Sequence, residues 1–399
     1  MTITELEAGS ETLPNREAPR LSGSDERPLR ILFCVNWRVD RLAEADPARF
    51  SPDYQIPGQP YWFFKHGHSD IEVDVLDCRS FLGIERVERK LTRSYPSKGL
   101  LARVRSRRYD LVLSHGGQMG LVIGLLQSLF PSKSQPPHVM FDVGAISGGY
   151  SGSSNRIVTA GCRLATQSLA GAICHSSQQL EFYRDRYPAV AKVARFIPLG
   201  VDTEEFRPEP GAQEDEIICV GYDRDWQRLV RAYSSLNTAT RLVLLGIPSS
   251  QTIQHPGVEC VPPVSIDEMR RRISRAKFVV LPLWKVDHCI GQQTFLQMGK
   301  TVLLPNIPAV RDYIRNGETG FLYDADSEQD LGVKLRMLLS QTETVERVGR
   351  AARAATETQF SERMMADRIV DLIRDIYRSR IGSRLDTSHS RQIRLGARK

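Results

Sequence analysis

Short apolar runs alternate with longer amphipathic segments along most of the chain. The runs are rich in valine, isoleucine and leucine, which is typical of strands buried on both faces of a parallel sheet. The segments between them have the length and spacing of helices. This alternation predicts an α/β fold built from doubly wound parallel sheets. The predicted strands are 31–35, 71–76, 110–113, 138–141 and 171–174 in a first series, and 216–220, 241–245, 258–261, 277–282 and 301–304 in a second series.

The two series of strands indicate two Rossmann-like domains, and a length of 399 residues fits that number. The first residues are acidic and polar without periodicity, which predicts a disordered leader. Near the C-terminus, methionine, isoleucine and leucine recur at helical spacing, so this helix must pack its apolar face on another element. The predicted organisation is a leader over 1–28, an N-terminal domain over 29–195, a C-terminal domain over 196–360, a helix over 361–378 and a basic tail over 379–399.

Composition narrows the class of protein. Hydrophobic residues make up 41% and charged residues 25% of the chain, as in soluble globular proteins. No apolar run approaches the ~20 residues that span a bilayer, and the N-terminus lacks the basic and apolar pattern of a signal peptide. The expected compartment is therefore the cytoplasm. Seven cysteines without a CxxC pair argue against a zinc ribbon or a disulfide framework.

One segment carries a specific resemblance to a known family. Residues 197–208, IPLGVDTEEFRP, closely resemble the IPNGVDxxxFxP segment of family 4-like glycosyltransferases of the GT-B fold. Residues 261–284 and 302–322 are similar to two further segments of that family. The resemblance covers roughly residues 30–378 and is stronger in the second half of the chain.

The resemblance implies two facing Rossmann-like domains and a last helix that crosses back to the first domain. It implies a retaining transferase that moves a sugar from a nucleoside-diphosphate sugar to an acceptor hydroxyl, with no metal and no further cofactor. The C-terminal domain would hold the donor. The N-terminal domain would hold a saccharide, a lipid-linked or a small-molecule acceptor, in polysaccharide or glycoconjugate biosynthesis. The alternative is a catalytically impaired, glycosyltransferase-like binding or scaffold protein.

Polar residues follow two strands of the predicted donor domain. Gly291 allows the backbone to turn before a helix that starts at Gln292, and the free N–H groups of a helix N-terminus suit a diphosphate. Arg224 aligns with a lysine that the family places on the donor diphosphate, and arginine is a competent phosphate ligand. The resemblance therefore assigns these three residues to donor binding.

Two glutamates of the family's ExGxxxxEAMAxG motif have no counterpart in this chain. The first, near the reacting sugar, falls near Val286 or Asp287, and only Asp287 is a carboxylate. The second, on the nucleotide ribose, falls on Thr294 in an ungapped alignment and on Gln297 in a gapped one. Either side chain can hydrogen-bond to a hydroxyl. We favour Thr294, because helix packing sets its distance from the glycine that ends the segment.

His115 is the candidate catalytic residue of the acceptor side. It ends a predicted strand, which points it into the cleft, where an imidazole can hydrogen-bond to a sugar or assist proton transfer from an acceptor hydroxyl. A structural histidine is the alternative interpretation. The other histidines form no pattern with a credible third ligand, so we predict no metal site.

The segment 86–108 is strongly basic, with nine lysines and arginines and the single acid Glu88. Leucine, valine and tyrosine are interleaved with these cations, a pattern that suits the surface of an anionic membrane at the inner face of the cell. A solvated helix face explains the same residues, and both interpretations stay open. No recognition motif for nucleic acid accompanies the charge, so we predict no nucleic-acid partner.

Overall fold

The structure is a computed structural model that describes residues 27–42, 52–79, 84–92, 94–144, 156–221, 224–247, 253–283 and 291–396. Within these residues the chain forms two six-stranded sheets in which all the strands are parallel, together with one small separate pair of strands. The predicted leader lies outside the described residues apart from Arg27 and Pro28. The guanidinium of Arg27 makes two bonds to the carboxylate of Asp110, at 2.7 and 2.8 Å.

The first sheet has the strand order β4-β1-β5-β6-β7-β8. Its central strands are apolar and fully buried, because helices cover both faces of a doubly wound sheet. The strands of this half are β1 Leu29–Cys34, β2 Asp40–Arg41, β3 Tyr54–Gln55, β4 Ile71–Leu76, β5 Leu111–His115, β6 His138–Asp142, β7 Leu169–Cys174 and β8 Ala194–Phe196, of which β2 and β3 form the small separate pair.

The second sheet repeats the pattern with the order β11-β10-β9-β12-β13-β14. In both sheets the chain starts in the middle, builds outwards to one side and then returns to the other side. Its strands are β9 Glu216–Val220, β10 Arg241–Leu245, β11 Val258–Val261, β12 Val279–Val280, β13 Val302–Pro305 and β14 Phe321–Tyr323.

Helices connect the strands, and three of them begin with a serine cap whose side chain accepts a bond from the backbone three residues on. The helices are α1 Ile84–Thr92, α2 Pro96–Arg105, α3 Gly117–Leu129, α4 Arg156–Thr166, α5 Ser177–Arg186, α6 Pro188–Ala191, α7 Trp226–Ser234, α8 Ile266–Arg275, α9 Gln292–Gln297, α10 Pro308–Arg311, α11 Glu328–Ser340, α12 Thr342–Gln359 and α13 Glu362–Gly396, with 3-10 turns at Trp62–Lys65 and Ser106–Arg108.

The predicted fold class is confirmed, and each of the ten predicted runs contains a strand. The sequence pattern missed β2, β3, β8 and β14, because two or three residues are too few to show a periodicity. The last helix does not end near residue 378. It continues to Gly396, since no proline interrupts 362–396.

The last helix crosses back to the first domain, as the resemblance implied. Met365, Ile369 and Ile373 of α13 are buried in the core of the first sheet, beside Ile31 and Leu111. Arg374 on the same helix makes bonds of 2.7 and 2.8 Å to the carboxylate of Asp70. The apolar face that the sequence left without a partner therefore completes the N-terminal core.

Candidate functional site

The carboxyl ends of one strand from each sheet meet at the contact between the two domains. Strand β7 leads to His175, and β13 leads through α10 to Tyr313. The hydroxyl of Tyr313 donates to the backbone oxygen of His175 at 2.6 Å and accepts from the backbone N–H of Leu199 at 2.9 Å. The carboxylate of Asp312 accepts from the N–H of Ser177 at the start of α5, at 2.7 Å. The segments that follow these strands therefore meet at the contact between the domains, and ligands of doubly wound sheets bind at carboxyl edges of this kind.

The segment that carries the sequence resemblance is the linker between the domains. The N–H of Val201 donates to the oxygen of Phe360 at 3.0 Å, and the N–H of Glu362 donates to the oxygen of Val201 at 2.8 Å. A Cβ on Gly200 would lie 2.6 Å from the backbone oxygen of Ser361, so only glycine fits this close approach. The chain passes from the first domain to the second through this linker and returns at the start of α13. These contacts therefore join the two connections to each other.

A half-buried ionic cluster ties three segments together at this junction. The Nζ of Lys65 lies 2.5 Å from the Oδ2 of Asp202 in the linker and 3.1 Å from the Oε1 of Glu362 on α13. The Nε2 of His66 lies 3.0 Å from the same oxygen of Glu362. Burial alone would raise the pKa of Asp202, but the bonds from Lys65 and from the N–H of Glu205 outweigh burial and the pKa is lowered. Burial would lower the pKa of Lys65, and these carboxylates raise it.

His115 lies at the switch point of the first sheet, where the chain leaves neighbouring strands β1 and β5 in opposite directions. It is half-buried, and its backbone oxygen accepts a 2.6 Å bond from the side-chain amide of Asn36. The imidazole is surrounded by aromatic rings: its centroid is 4.8 Å from that of Trp37, 5.4 Å from Phe141 and 6.0 Å from Trp62. His115, which the sequence predicts on the acceptor side, is therefore surrounded by aromatic side chains.

Arg224 lies at the corresponding switch point of the second sheet, between β9 and β12. The N–H of the next residue, Asp225, donates to the oxygen of Pro282 at 2.8 Å and ties the loop after β9 to the end of β12. Gly221 and Gly246 have φ of +104° and +90°, and a Cβ on Gly246 would lie 3.6 Å from the Cα of Gly221. Bare backbone therefore approaches closely around the guanidinium, which lies beside Gly221.

Two glutamine side chains are buried at the start of α9, directly after the loop that follows β12. Gly291 adopts a φ of +87° and precedes the helix. Gln292 and Gln293 are almost fully buried, and among the described residues the nitrogen and oxygen of both amides have no hydrogen-bond partner. A buried amide without a partner costs about 1–3 kcal/mol. These four atoms therefore lack the hydrogen bonds that buried polar groups normally have.

The two candidates for the ribose role occupy different surroundings. Thr294 is half-buried in the first turn of α9. Gln297 is fully buried, and its Nε2 donates to the backbone oxygen of Thr203 at 3.4 Å and to Glu357 on α12 at 3.5 Å. Gln297 is thus held between the linker and α12, whereas Thr294 is on the part of the helix next to Gly291.

The predicted catalytic Asp287 lies outside the described residues, in the stretch 284–290. In the part of the chain that is described, no three histidine, cysteine, aspartate or glutamate side chains are grouped so that they could hold a metal ion. None of the described helices combines the length and apolarity needed to cross a membrane.

Sequence reasoning missed Trp37, Trp62 and Gln293. Trp37 follows β1 by three residues, and a large aromatic side chain just past a buried strand was a usable signal. Gln293 belongs to a pair of adjacent amides directly after Gly291, which was also readable. Trp62 comes from the 3-10 turn before β4, and no local pattern places that turn beside β5.

A scan of protein-family models and a search of curated proteins found no match to this sequence. Solved structures do match over most of the chain. Sucrose-phosphate synthase from Thermosynechococcus elongatus has a TM-score of 0.65 at 15% identity and covers 88% of this chain and 100% of that one.

HepE from Anabaena, solved with UDP-glucose, has a TM-score of 0.63 at 13% identity, over 87% of this chain and 100% of that one. A glycosyltransferase from Rickettsia africae has a TM-score of 0.60 at 14% identity, over 88% and 99%. At these identities the likeness concerns the fold. The chain therefore has the GT-B fold of these glycosyltransferases.

Proposed function

We propose that the protein transfers a glycosyl group from a nucleoside-diphosphate sugar to an acceptor hydroxyl. The observation that carries the proposal is the pair of buried amides of Gln292 and Gln293, which have no partner among the described residues and lie at the carboxyl edge of the second sheet. A ligand rich in hydrogen-bonding groups would satisfy them. The neighbouring strand contributes Arg224, a cation suited to a diphosphate.

The chemistry follows from charge on the leaving group. When the sugar departs, negative charge develops on the diphosphate, and fixed donors and cations there lower the barrier. Helix α9 has only six residues, so we assign this role to Arg224 and the two amides rather than to the dipole of that helix. HepE was solved with UDP and with UDP-glucose, which supports uridine-diphosphate sugars as the first donors to test.

On the acceptor side, we assign His115 to a hydrogen bond with the acceptor or to proton transfer from its hydroxyl. The resemblance of residues 197–208 supports retention of configuration, catalysis without a metal and a role in polysaccharide or glycoconjugate synthesis. Asp287 keeps its proposed place near the reacting sugar.

A panel of nucleotide-sugars tests the activity. Thermal shift and hydrolysis of each donor are measured on the full chain, and then transfer to a saccharide panel is measured with the best donor. We expect one donor to raise the melting temperature and to be hydrolysed slowly without an acceptor. If no nucleotide-sugar in the panel shifts the melting temperature, the proposal fails.

A non-catalytic nucleotide-sugar binding protein is the second candidate. It is favoured by the absence of a glutamate from 284–300, where the family's motif carries two. The same panel separates the two functions. A donor that stabilises the fold but is neither hydrolysed nor transferred identifies the binding protein.

We further propose that the N-terminal domain docks on an anionic membrane through α1, α2 and the end of α3. Large apolar side chains are exposed on all three: Leu91 is 78% exposed, Val104 63% and Phe130 65%. Arg103 donates to the backbone oxygen of Phe130 at 3.0 Å, which joins α2 to the end of α3. The exposed apolar residues of this membrane-facing surface are Ile84, Val87, Leu91, Leu100, Val104, Leu129 and Phe130.

The positive charge of this surface indicates that its partner is an anionic lipid. Arg86, Arg89 and Lys90 on α1 lie among the exposed apolar residues, and α2 ends in further arginines. Apolar insertion and cations together fit lipids with anionic headgroups, where each cation contributes on the order of 1 kcal/mol. Salt screens such contacts beyond a Debye length of ~8 Å at physiological ionic strength.

Vesicle sedimentation tests the membrane contact. Phosphatidylcholine vesicles with phosphatidylglycerol should retain the protein, those without should not, and added salt should reduce retention. Leu91→Ser with Val104→Ser should weaken retention several-fold. Ile157→Ser is the matched control, because Ile157 is 81% exposed on α4, outside this surface. Equal retention on both vesicles, or the same loss in the control, would contradict the contact.

A further inference from the structure

We propose that Trp37, Trp62 and His115 form a binding subsite for the ring of a neutral sugar, so that the acceptor is a saccharide. The statement that the bound sugar is the acceptor rests on the proposed function. The subsite itself rests on the geometry of the N-terminal domain. None of these contacts involves the donor residues of the second sheet.

Three rings from three chain segments converge at the carboxyl end of β5. The centroid of Trp37 lies 4.8 Å from that of His115, with the planes at 80°. Trp62 lies 6.0 Å from His115 and 6.0 Å from Trp37, and the two indoles are at 84° to each other. Two indoles at a right angle with an imidazole against both make a corner rather than a flat stack.

The two indoles form the outer layer of an aromatic core. Beneath them, Phe33, Phe63 and Phe141 are buried to within 1% of completely. Trp37 and Trp62 pack on this cluster but stay partly exposed. A protein that needed only a core here would bury these large apolar rings, which would gain hydrophobic free energy.

The backbone at Trp62 is strained. Its φ is +50°, and among the described residues Asn237 is the only other non-glycine residue with positive φ. Asparagine visits this region readily, but a bulky aromatic residue rarely does. Strain of this kind persists where the surrounding structure holds a side chain in place for a function.

Hydrogen bonds hold the indole of Trp37 and the backbone of His115. The Nε1 of Trp37 donates to the oxygen of Pro52 at 2.7 Å, and the plane of this indole lies at 80° to that of His115. The side-chain amide of Asn36 donates to the backbone oxygen of His115 at 2.6 Å. The corner is therefore preorganised, which reduces the entropy that a ligand loses on binding.

A sugar ring matches this corner. One face of a pyranose presents C–H groups that pack on an aromatic ring, while its hydroxyl groups need hydrogen-bond partners at the edge. The indoles provide the apolar walls, and His115 lies at the edge of both. The two walls are uncharged indoles, so they favour a neutral sugar over a phosphate group.

Saturation-transfer NMR on the full chain tests the subsite without the donor. The probes are the methyl glycosides of glucose, galactose, mannose and N-acetylglucosamine, each with the α and the β anomer. We expect ring C–H signals of at least one glycoside to receive saturation. Trp37→Ala and Trp62→Ala should weaken its binding at least tenfold, whereas Trp37→Phe and Trp62→Phe, which keep a ring, should retain part of it.

Phe182→Ala on α5 is the matched control, since this partly exposed ring of the same domain contacts Tyr183 and Tyr187 instead. Melting temperatures exclude loss of folding, and the phenylalanine variants remain informative if an alanine variant unfolds. No transfer to any glycoside in the unaltered protein, or equal binding in all variants, would overturn the subsite. UDP-glucose affinity is measured in parallel: its absence would overturn the donor proposal and leave the sugar result standing.

Discussion

The two sheets share one topology, yet the residues at their switch points differ in chemical character. At the first, aromatic rings surround His115 and form a preorganised corner. At the second, Arg224 lies beside glycine backbone, and two buried amides follow the neighbouring strand β12. The fold therefore sets where ligands bind, and the side chains past each strand set what binds. The carboxyl edge of the first sheet suits the face of a sugar ring. That of the second sheet suits a charged ligand with many hydrogen-bonding atoms.

Glycine occurs at both edges, since Gly116 after β5 also has a positive φ, but its surroundings differ. Gly221 and Gly246 bring bare backbone together at the second edge, beside the guanidinium of Arg224. At the first edge, the two indoles present ring surface instead. Backbone and amides can reach a diphosphate closely, whereas indoles keep such a group away. Each prediction below acts on one edge or on the junction between them.

The largest effect is expected from breaking the junction. Lys65→Met leaves the half-buried Asp202 and the buried Glu362 without this cation, which should lower the free energy of unfolding by about 3 kcal/mol. The pKa of Asp202 is lowered, so its contribution is present above about pH 4 and lost as the pH falls through that range. The pKa of Lys65 is raised, so its contribution is present below about pH 10.5 and lost above.

Urea unfolding at several pH values measures this loss. The difference between Lys65→Met and the unaltered chain should be largest between these limits and shrink at both. Lys334→Met on α11 serves as a surface control. A difference that does not change with pH would show that packing of the lysine stem, rather than its charge, stabilises the junction.

Removing the cation of the second edge should affect donor binding alone. Arg224→Ala deletes a charge-assisted bond of about 1.5–3 kcal/mol, which corresponds to roughly ten- to a hundredfold weaker nucleotide-sugar affinity. Calorimetry measures the donor, and glycoside binding at the first edge should be unchanged. Unaltered donor affinity would reject the assignment of Arg224, and loss of both ligands would contradict the separation of the two edges.

As the pH falls, the N-terminal domain should lose stability at a higher pH than the C-terminal domain. Complete burial lowers the pKa of His138 to about 3, so its neutral form is the folded one. Stability is then full above about pH 6.5 and falls between 6.5 and 3 by about 1.4 kcal/mol per pH unit. His138→Gln removes this titration and should flatten the slope, which hydrogen exchange resolved by domain can measure. An equal slope in the variant would assign the acid sensitivity to other groups.

The smallest effects compare Thr294 with Gln297. A neutral bond to a ribose hydroxyl contributes about 0.5–1.5 kcal/mol, so Thr294→Val should weaken donor binding a few-fold and leave stability unchanged. Gln297→Met removes contacts to Thr203 and Glu357 and should lower stability more than donor affinity. A loss of donor affinity confined to Gln297→Met would assign the ribose contact to Gln297 instead of Thr294.

Much of the site could be placed from the sequence, because the signals were local. A strand end fixes the edge of the sheet at which the following loop lies, so His115 and Arg224 could be assigned to the carboxyl edges of their sheets. The roles of the candidate residues stay predictions. The burial of Gln297 could not be read, since it depends on α12, which lies about 60 residues further along the chain.

The sequence by itself determined the two parallel sheets, the apolar face of the last helix and the glycine turn before α9. These follow from hydrophobic periodicity and backbone preference over a few neighbouring residues. Only the tertiary structure decided that Lys65 meets Asp202 across 137 residues, and that two indoles and an imidazole form a corner. Such contacts form when separate segments are packed on one core, and no local pattern of residues encodes which segments will meet.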